Sequence, residues 1–289
     1  MIGVTFAILF AMLMGIASIF SRRGLESGSF VAMLFISLAV AAPIFVVIAF
    51  LTGGMAGTPL TGVVYAAAGA LFGSVVGRAF YLLGINYLGP GKSLSIYATA
   101  PLYAAILSWA VLEERLTPLV ILGTVAIVLG IVVLSKDVRE ETNRAGHSMH
   151  VMLYPAAGAV LASGAVTMRK LALDAGIRPL MAATVNMVVG FLAVSPLLAT
   201  RYRSHILDLD QHARRNFLAA SLVMASGFLV YFFGLRVANA SVFFPLIQTQ
   251  PLFAVVLSAV FLSDLEVVTR WTVAASGLVV VGAVLVILG

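Results

Sequence analysis

The side chains best equipped to do chemistry in this sequence lie in apolar surroundings. Arg78 stands in SVVGRAFYLLG, with Tyr81 three residues on and so on the same face of a helix. Tyr97, Thr99 and Pro101 occur together in SIYATAPLYAA, and Gln248, Thr249, Gln250 and Pro251 in PLIQTQPLFAV; Tyr231 precedes the latter in FLVYFFGLR. These groups can bind and orient a solute, but they do not form a nucleophile–base or metal-ligand set. His147, His150, His205 and His212 all fall in segments expected to be loops and match no metal-binding spacing such as H-E-x-x-H. There is no phosphate-binding P-loop and no cysteine. No catalytic residue, metal or cofactor is therefore expected. Glu113 and Glu114 come nearest to an acidic cluster, and with Arg115 beside them they are expected to form a salt-bridged helix cap.

Each candidate has a binding reading and a packing reading. A proline inside a helix removes a backbone hydrogen bond and frees a carbonyl about one turn earlier, so Pro101 and Pro251 predict local breaks in their helices. The polar groups around them would suit the wall of a central cavity, or they could bond neighbouring helices together. An arginine at the centre of a membrane helix costs about 2.5–3.5 kcal/mol, so Arg78 calls for a partner or a wet cavity. No acid stands at comparable depth in any expected span. An anionic substrate group could serve as counter-ion, giving an organic acid, amino acid or phosphorylated metabolite; the other reading is a side chain that snorkels to the headgroups. Tyr81 and Tyr231 would suit an aromatic wall or an interfacial belt. Asn86 and Asn239 are expected at caps or turns. Gly69, Gly73 and Gly77 recur every four residues and form a small-residue stripe for close helix packing, which could also permit sliding.

The elements that must position these groups follow from hydropathy. The chain of 289 residues is 62% hydrophobic and 10% charged, with mean hydropathy +1.13. A soluble domain is about 45–50% apolar and about 25% charged. Apolar stretches long enough to cross a hydrocarbon core of about 30 Å recur throughout. The expected helices are 3–20, 30–51, 61–84, 93–112 and 119–135, then 151–168, 180–199, 216–235, 241–262 and 271–288. Between the two sets runs the polar segment SKDVREETNRAGHSMH, Ser135 to His150. The fold class read from this is an all-α integral membrane protein of ten transmembrane helices, with five-helix units at 1–135 and 151–289 joined by a linker at 136–150. The N terminus is apolar from Met1, with no cleavage signal, and is expected to be a retained first helix.

The two sets repeat one another. Thr99-Ala100-Pro101-Leu102 matches Thr249-Gln250-Pro251-Leu252 at a spacing of 251 − 101 = 150. The same offset pairs Tyr81 with Tyr231, Gly84 with Gly234, Ser108 with Ser258, and Glu114 with Asp264. Arg22-Arg23 and Arg169-Lys170 are each expected to follow the first helix of their half. An odd number of spans per repeat makes the second copy enter from the opposite side, and such inverted repeats are characteristic of transporters working by alternating access. The fourth and fifth spans of each half, SIYATAPLYAAILSWAVLEERLTPLVILGTVAIVLGIVVL above all, carry a mid-helix proline, small residues after it, an acid at the helix end and a glycine-bearing last helix. In these features the chain resembles the EamA-type transporters of the drug/metabolite transporter superfamily. That resemblance implies ten helices in two repeats and the export or uptake of a metabolite.

The expected function is a secondary transporter that moves a small metabolite (an amino acid, an organic acid or a similar solute), with export favoured. Its cavity is expected between the third, fourth, eighth and ninth helices. A membrane-embedded enzyme on a lipid-linked substrate and a passive channel are the rivals. Expected partners are the small-molecule substrate, the bilayer of the cell membrane and a coupling ion such as a proton, in a monomer or homodimer. The net charge of +6 comes from arginines and lysines standing singly or in pairs between spans, which suits lipid headgroups rather than nucleic acid. Eleven basic residues collect on one side of the membrane and five (Arg115, Arg169, Lys170, Arg178 and Arg236) on the other. By charge alone both termini would lie outside, while the family resemblance favours both inside.

Overall fold

In the computed structural model, residues 2–53, 57–88, 93, 96–134, 149–200, 202–261 and 270–289 are described. Most of the linker, Lys92, Ser263 and Asp264, and the side chains of Asn86 and Ser258 lie outside them. The described residues are helical, with no strand among them. In lipid no water is available to satisfy backbone groups, so each segment must bond itself.

The chain runs through α1 (Ile2–Gly24), α2 (Phe30–Leu51) and α3 (Leu60–Gly69). A π-helical stretch, Ala70–Gly77, leads directly into α4 (Arg78–Leu88). Next come α5 (Ala100–Val111), α6 (Pro118–Leu134), α7 (Leu153–Asp174) and α8 (Pro179–Val194). The short α9 (Arg203–Leu207) precedes α10 (Gln211–Val237), α11 (Ala240–Ile247), α12 (Gln250–Phe261) and α13 (Arg270–Leu288). Among the described residues six helices are long and apolar enough to cross a membrane alone: Ile2–Gly24, Phe30–Leu51, Leu60–Tyr81, Leu153–Asp174, Pro179–Ala199 and Gln211–Val237. Shorter apolar helices cover Ala100–Val111, Pro118–Val133 and Ala274–Leu288. The fourth and ninth expected spans are therefore not single helices. His205 and His212, expected in loops, lie in α9 and the first turn of α10.

The interruptions are where the prolines predicted them. Turns at residues 98–99 and 248–249 stand just before α5 and α12. At each, a threonine closes the gap: Thr99 donates to the Ile96 carbonyl (2.6 Å) and Thr249 to that of Leu246 (2.7 Å). The backbone N–H groups of the same residues bond the same carbonyls, in tight turns of the 3₁₀ kind. Both hydroxyls are thus engaged by the backbone rather than turned to a solute.

Packing is reciprocal between the two parts of the chain. α1 lies along α10 and crosses α11 and α12, while α7 lies along α3, the π stretch and α4 and crosses α5. α2 packs on α8, and α6 on α13. Glycines make the closest approaches possible. A Cβ on Gly84 would lie 2.9 Å from Pro155 of α7, and one on Gly234 2.6 Å from the Cβ of Phe6 on α1. Between α6 and α13, a Cβ on Gly123 would lie 2.5 Å from the Gly282 carbonyl oxygen, and one on Gly282 2.6 Å from that of Gly123.

Charged side chains tie the helix ends together. Glu113 adopts φ 55°, a left-handed conformation that favours glycine, and the turn it makes aims Glu114 at α11. The Glu114 carboxylate accepts from the Ala240 and Ser241 N–H groups (2.7 and 2.8 Å). It therefore caps the N-terminus of a helix in the other part of the chain, instead of forming the expected cap with Arg115. Asn239 does hold the N-cap position of α11, without a side-chain bond. Beside that cap, Lys170 of α7 donates to the Leu235 and Ala238 carbonyls (3.2 and 3.1 Å) at the end of α10, and Arg236 of α10 donates to Leu173 of α7. Cations at both C-termini also oppose the helix dipoles.

Glu114→Ala leaves two N–H groups of α11 without their acceptor and is expected to cost about 1–2 kcal/mol, read as a lower melting temperature of the detergent-solubilised protein. Gly123→Ala should cost about 1–3 kcal/mol by forcing α6 away from α13, in the same assay. Asp210 caps α10 by accepting from the Ala213 N–H (2.7 Å). That bond first, then Ser27, holds its carboxyl below the usual carboxylate range. Its contribution is complete above the unfolded pKa and is lost as pH falls through the lowered folded one. Asp210→Ala should accordingly lose its destabilising effect in melts taken at low pH.

Candidate functional site

The most consequential difference from the sequence reading concerns Arg169. The expected span ended at residue 168 because a basic pair follows, yet α7 continues to Asp174 and stops at Gly176, whose φ of 93° suits a helix C′ position. Arg169 and Lys170 are therefore inside a helix rather than in a loop, and Arg78 is not alone as a basic residue within a span. Arg169 is 8% exposed, so it also drops out of the loop charge count. Gly176 was the available signal, since a glycine just past a periodic run marks a helix end more reliably than the first charge does.

The glycine stripe makes room for this side chain. A Cβ on Gly69 would lie 2.9 Å from Arg169 Cγ, and one on Gly73 3.2 Å from Arg169 Nη2. The guanidinium donates to the Gly69 carbonyl (3.4 Å) and the Ser74 hydroxyl (3.3 Å). With its oxygen turned towards the donors, the amide of Asn186, 1% exposed, accepts from Arg169 Nε (3.1 Å) and from the Ala70 N–H (3.3 Å). The Tyr231 ring lies below the guanidinium, 5.6 Å from centroid to Cζ. Every one of these partners is neutral.

Arg78 begins α4, four residues beyond Ser74, and lies over the Phe30 ring at 5.3 Å. It lines a cavity of about 30 Å³ together with Ser74, Leu38 of α2, Met187 of α8 and Phe228 of α10. Ser74 thus joins the two arginines, touching the cavity on one side and Arg169 on the other. Tyr97 lies within electrostatic range of both arginines, and its ring meets that of Tyr81 at 4.5 Å. Tyr231 is 2% exposed and surrounded by Phe10, Phe228, Phe232 and Phe243.

The structure therefore brings Arg78, Tyr81 and Tyr97 together, and adds Arg169, Ser74 and Asn186. Thr99, Gln248, Thr249 and Gln250 lie at the helix breaks and do not line this cavity, whose walls come from α2 and α8 in place of the expected fourth and ninth spans. Gln248 and Gln250 are half-buried there. The carboxylates among the described residues lie elsewhere: Asp174 is 3.6 Å from Lys170, Glu26 is 3.8 Å from His212, and Glu114 caps α11. The site is a cationic pocket with apolar walls, small enough to hold about two waters as it stands.

A helical membrane bundle with a pocket lined from both parts of the chain is an arrangement a carrier can use. The sequence model of the EamA-like transporter family matches residues 1–136 and again 150–288, and the chain belongs to that family. It is 27% identical over 217 residues to an uncharacterized transporter of Archaeoglobus fulgidus, covering 75% of each chain. A solved crystal structure shares the fold with a TM-score of 0.76 at 18% identity, over 99% of this chain and 96% of that one. This protein is a membrane transporter of the EamA-like family.

Proposed function

We propose that the chain is a secondary transporter of the cell membrane, built as two inverted five-helix repeats (1–135 and 151–289, with 136–150 between), which moves a small metabolite by alternating access. The observation that carries this reading is the reciprocal packing: α1 meets α10, α11 and α12 as α7 meets α3, α4 and α5. Contacts exchanged in this way are what an axis in the membrane plane would generate. Further support comes from the family match, which falls twice along the chain, and from the paired breaks before α5 and α12.

In this reading two pseudo-equivalent arrangements of the halves open the central pocket to either side in turn. The cavity of about 30 Å³ is too small for a metabolite, so the halves part to admit one. The glycine contacts along α7 and between α6 and α13 allow such a shift with little side-chain rearrangement. Export is the favoured direction, and a proton is a suitable coupling ion.

Purified protein in proteoliposomes is expected to give saturable flux of at least one member of a panel of amino acids, organic acids and lipophilic cations. Flux rising linearly with concentration would indicate a channel instead, and no flux across the panel would sink the transporter reading. Because the chain lacks cysteine, Ser37→Cys in α2, beside the cavity, can be probed with an impermeant thiol reagent from each side. Accessibility that moves from one side to the other on adding substrate is the expected signature of alternating access.

A further inference from the structure

Arg78 lines the pocket and Arg169 stands behind Ser74, a residue of the same lining, with no carboxylate among the described residues to balance either guanidinium. Arginine does not lose its proton in proteins, so both charges persist. The neutral groups around Arg169 satisfy some of its donors, Nε at Asn186 and Nη2 at Gly69 and Ser74. They supply no negative charge. Breaking up or omitting the partner of a buried charge is strongly unfavourable, and a charge kept inside a membrane bundle without a protein counter-ion points to a ligand.

We infer that the pocket takes a small organic anion whose carboxylate or phosphate is shared between Arg78 and Arg169, with its apolar part against Leu38, Met187 and Phe228. This inference rests on the transporter reading above and narrows its substrate class. Ser74 lies between the two cations and donates to the same anion. A fork of planar guanidiniums suits a carboxylate or phosphate well. A zwitterion is disfavoured because no carboxylate in the pocket receives its ammonium group, which would stand beside two positive charges. Net anions are therefore selected over amino acids as well as over cations. Arg169 is a binding residue in this account, and Asn186 the residue that positions it.

Ligands differing in one group separate the possibilities. Thermal stabilisation of the purified full chain is measured with 3-phenylpropionate, phenyl phosphate, phenylalanine, 3-phenylpropionamide and 3-phenylpropylamine, and flux of the same compounds is followed in proteoliposomes. The first two compounds are expected to stabilise the protein, and the stronger of them tells carboxylate from phosphate. Phenylalanine, the amide and the amine are expected to have little effect. Arg78→Gln and Arg169→Gln should each weaken anion binding by about 30-fold or more. Arg169→Lys, which keeps the charge, should recover part of it and guards against a variant that merely fails to fold. Asn186→Asp places a negative charge beside Arg169 and should abolish anion binding while leaving a folded protein. Equal stabilisation by the amide or amine, preference for phenylalanine over 3-phenylpropionate, no stabilisation by either anion, or unchanged anion binding in both glutamine variants would overturn the anion assignment. Saturable flux of the neutral, zwitterionic or cationic compounds in those cases would leave the transporter reading standing. Absence of flux for every compound would remove both.

Discussion

A peptide group facing hydrocarbon without a hydrogen bond costs several kcal/mol, and this constraint shapes every irregular feature of the bundle. Helices can cross the membrane region because they bond internally, and the chain departs from a regular helix only where something else supplies the missing bonds. At the breaks before Pro101 and Pro251 the hydroxyls of Thr99 and Thr249 close on carbonyls three residues back. The hydroxyl of Ser163 on α7 lies 2.7 Å from the Ala100 carbonyl at the first break. The N–H groups at the start of α11 take the Glu114 carboxylate. Each irregularity is thus covered by a polar group from its own turn or from the opposing part of the chain.

The same constraint explains how a charged side chain is held inside. Gly69 and Gly73 bring α3 and the π stretch close enough to α7 for the Arg169 stem to lie along them. The wider π turn loosens the local ladder, and the Gly69 carbonyl turns to the guanidinium. Asn186 of α8 completes the cradle. Four elements are fixed by one side chain, and the position of the cation follows from the glycines that make space for it. Close packing and the site are consequently one feature: what permits α7 to approach also places a charge against the pocket.

The pocket combines an apolar wall with the Arg78 cation, and Arg169 stands behind Ser74, a combination that favours amphipathic anions through both hydrophobic contact and charge-assisted hydrogen bonds. Helices from both parts of the chain line it.

The membrane class was legible from composition, since no soluble core absorbs so much apolar surface. Pro101 and Pro251 located the helix breaks, although Pro43 and Pro245 lie within α2 and α11 without one. Glu114 was recognised as a cap, but not what it caps, because its partner is more than a hundred residues away. Arg78 drew notice because its cost in hydrocarbon is local. Arg169 did not, because hydropathy reads a basic pair as the end of a span, and only the packing of α7 on a glycine stripe decides that the first of the pair turns inward while Lys170 reaches the end of α10. Which polar groups share one pocket was likewise settled by tertiary structure: the cavity joins α2, α4, α8 and α10, and sequence patterns report the face of a helix but not the neighbour it meets.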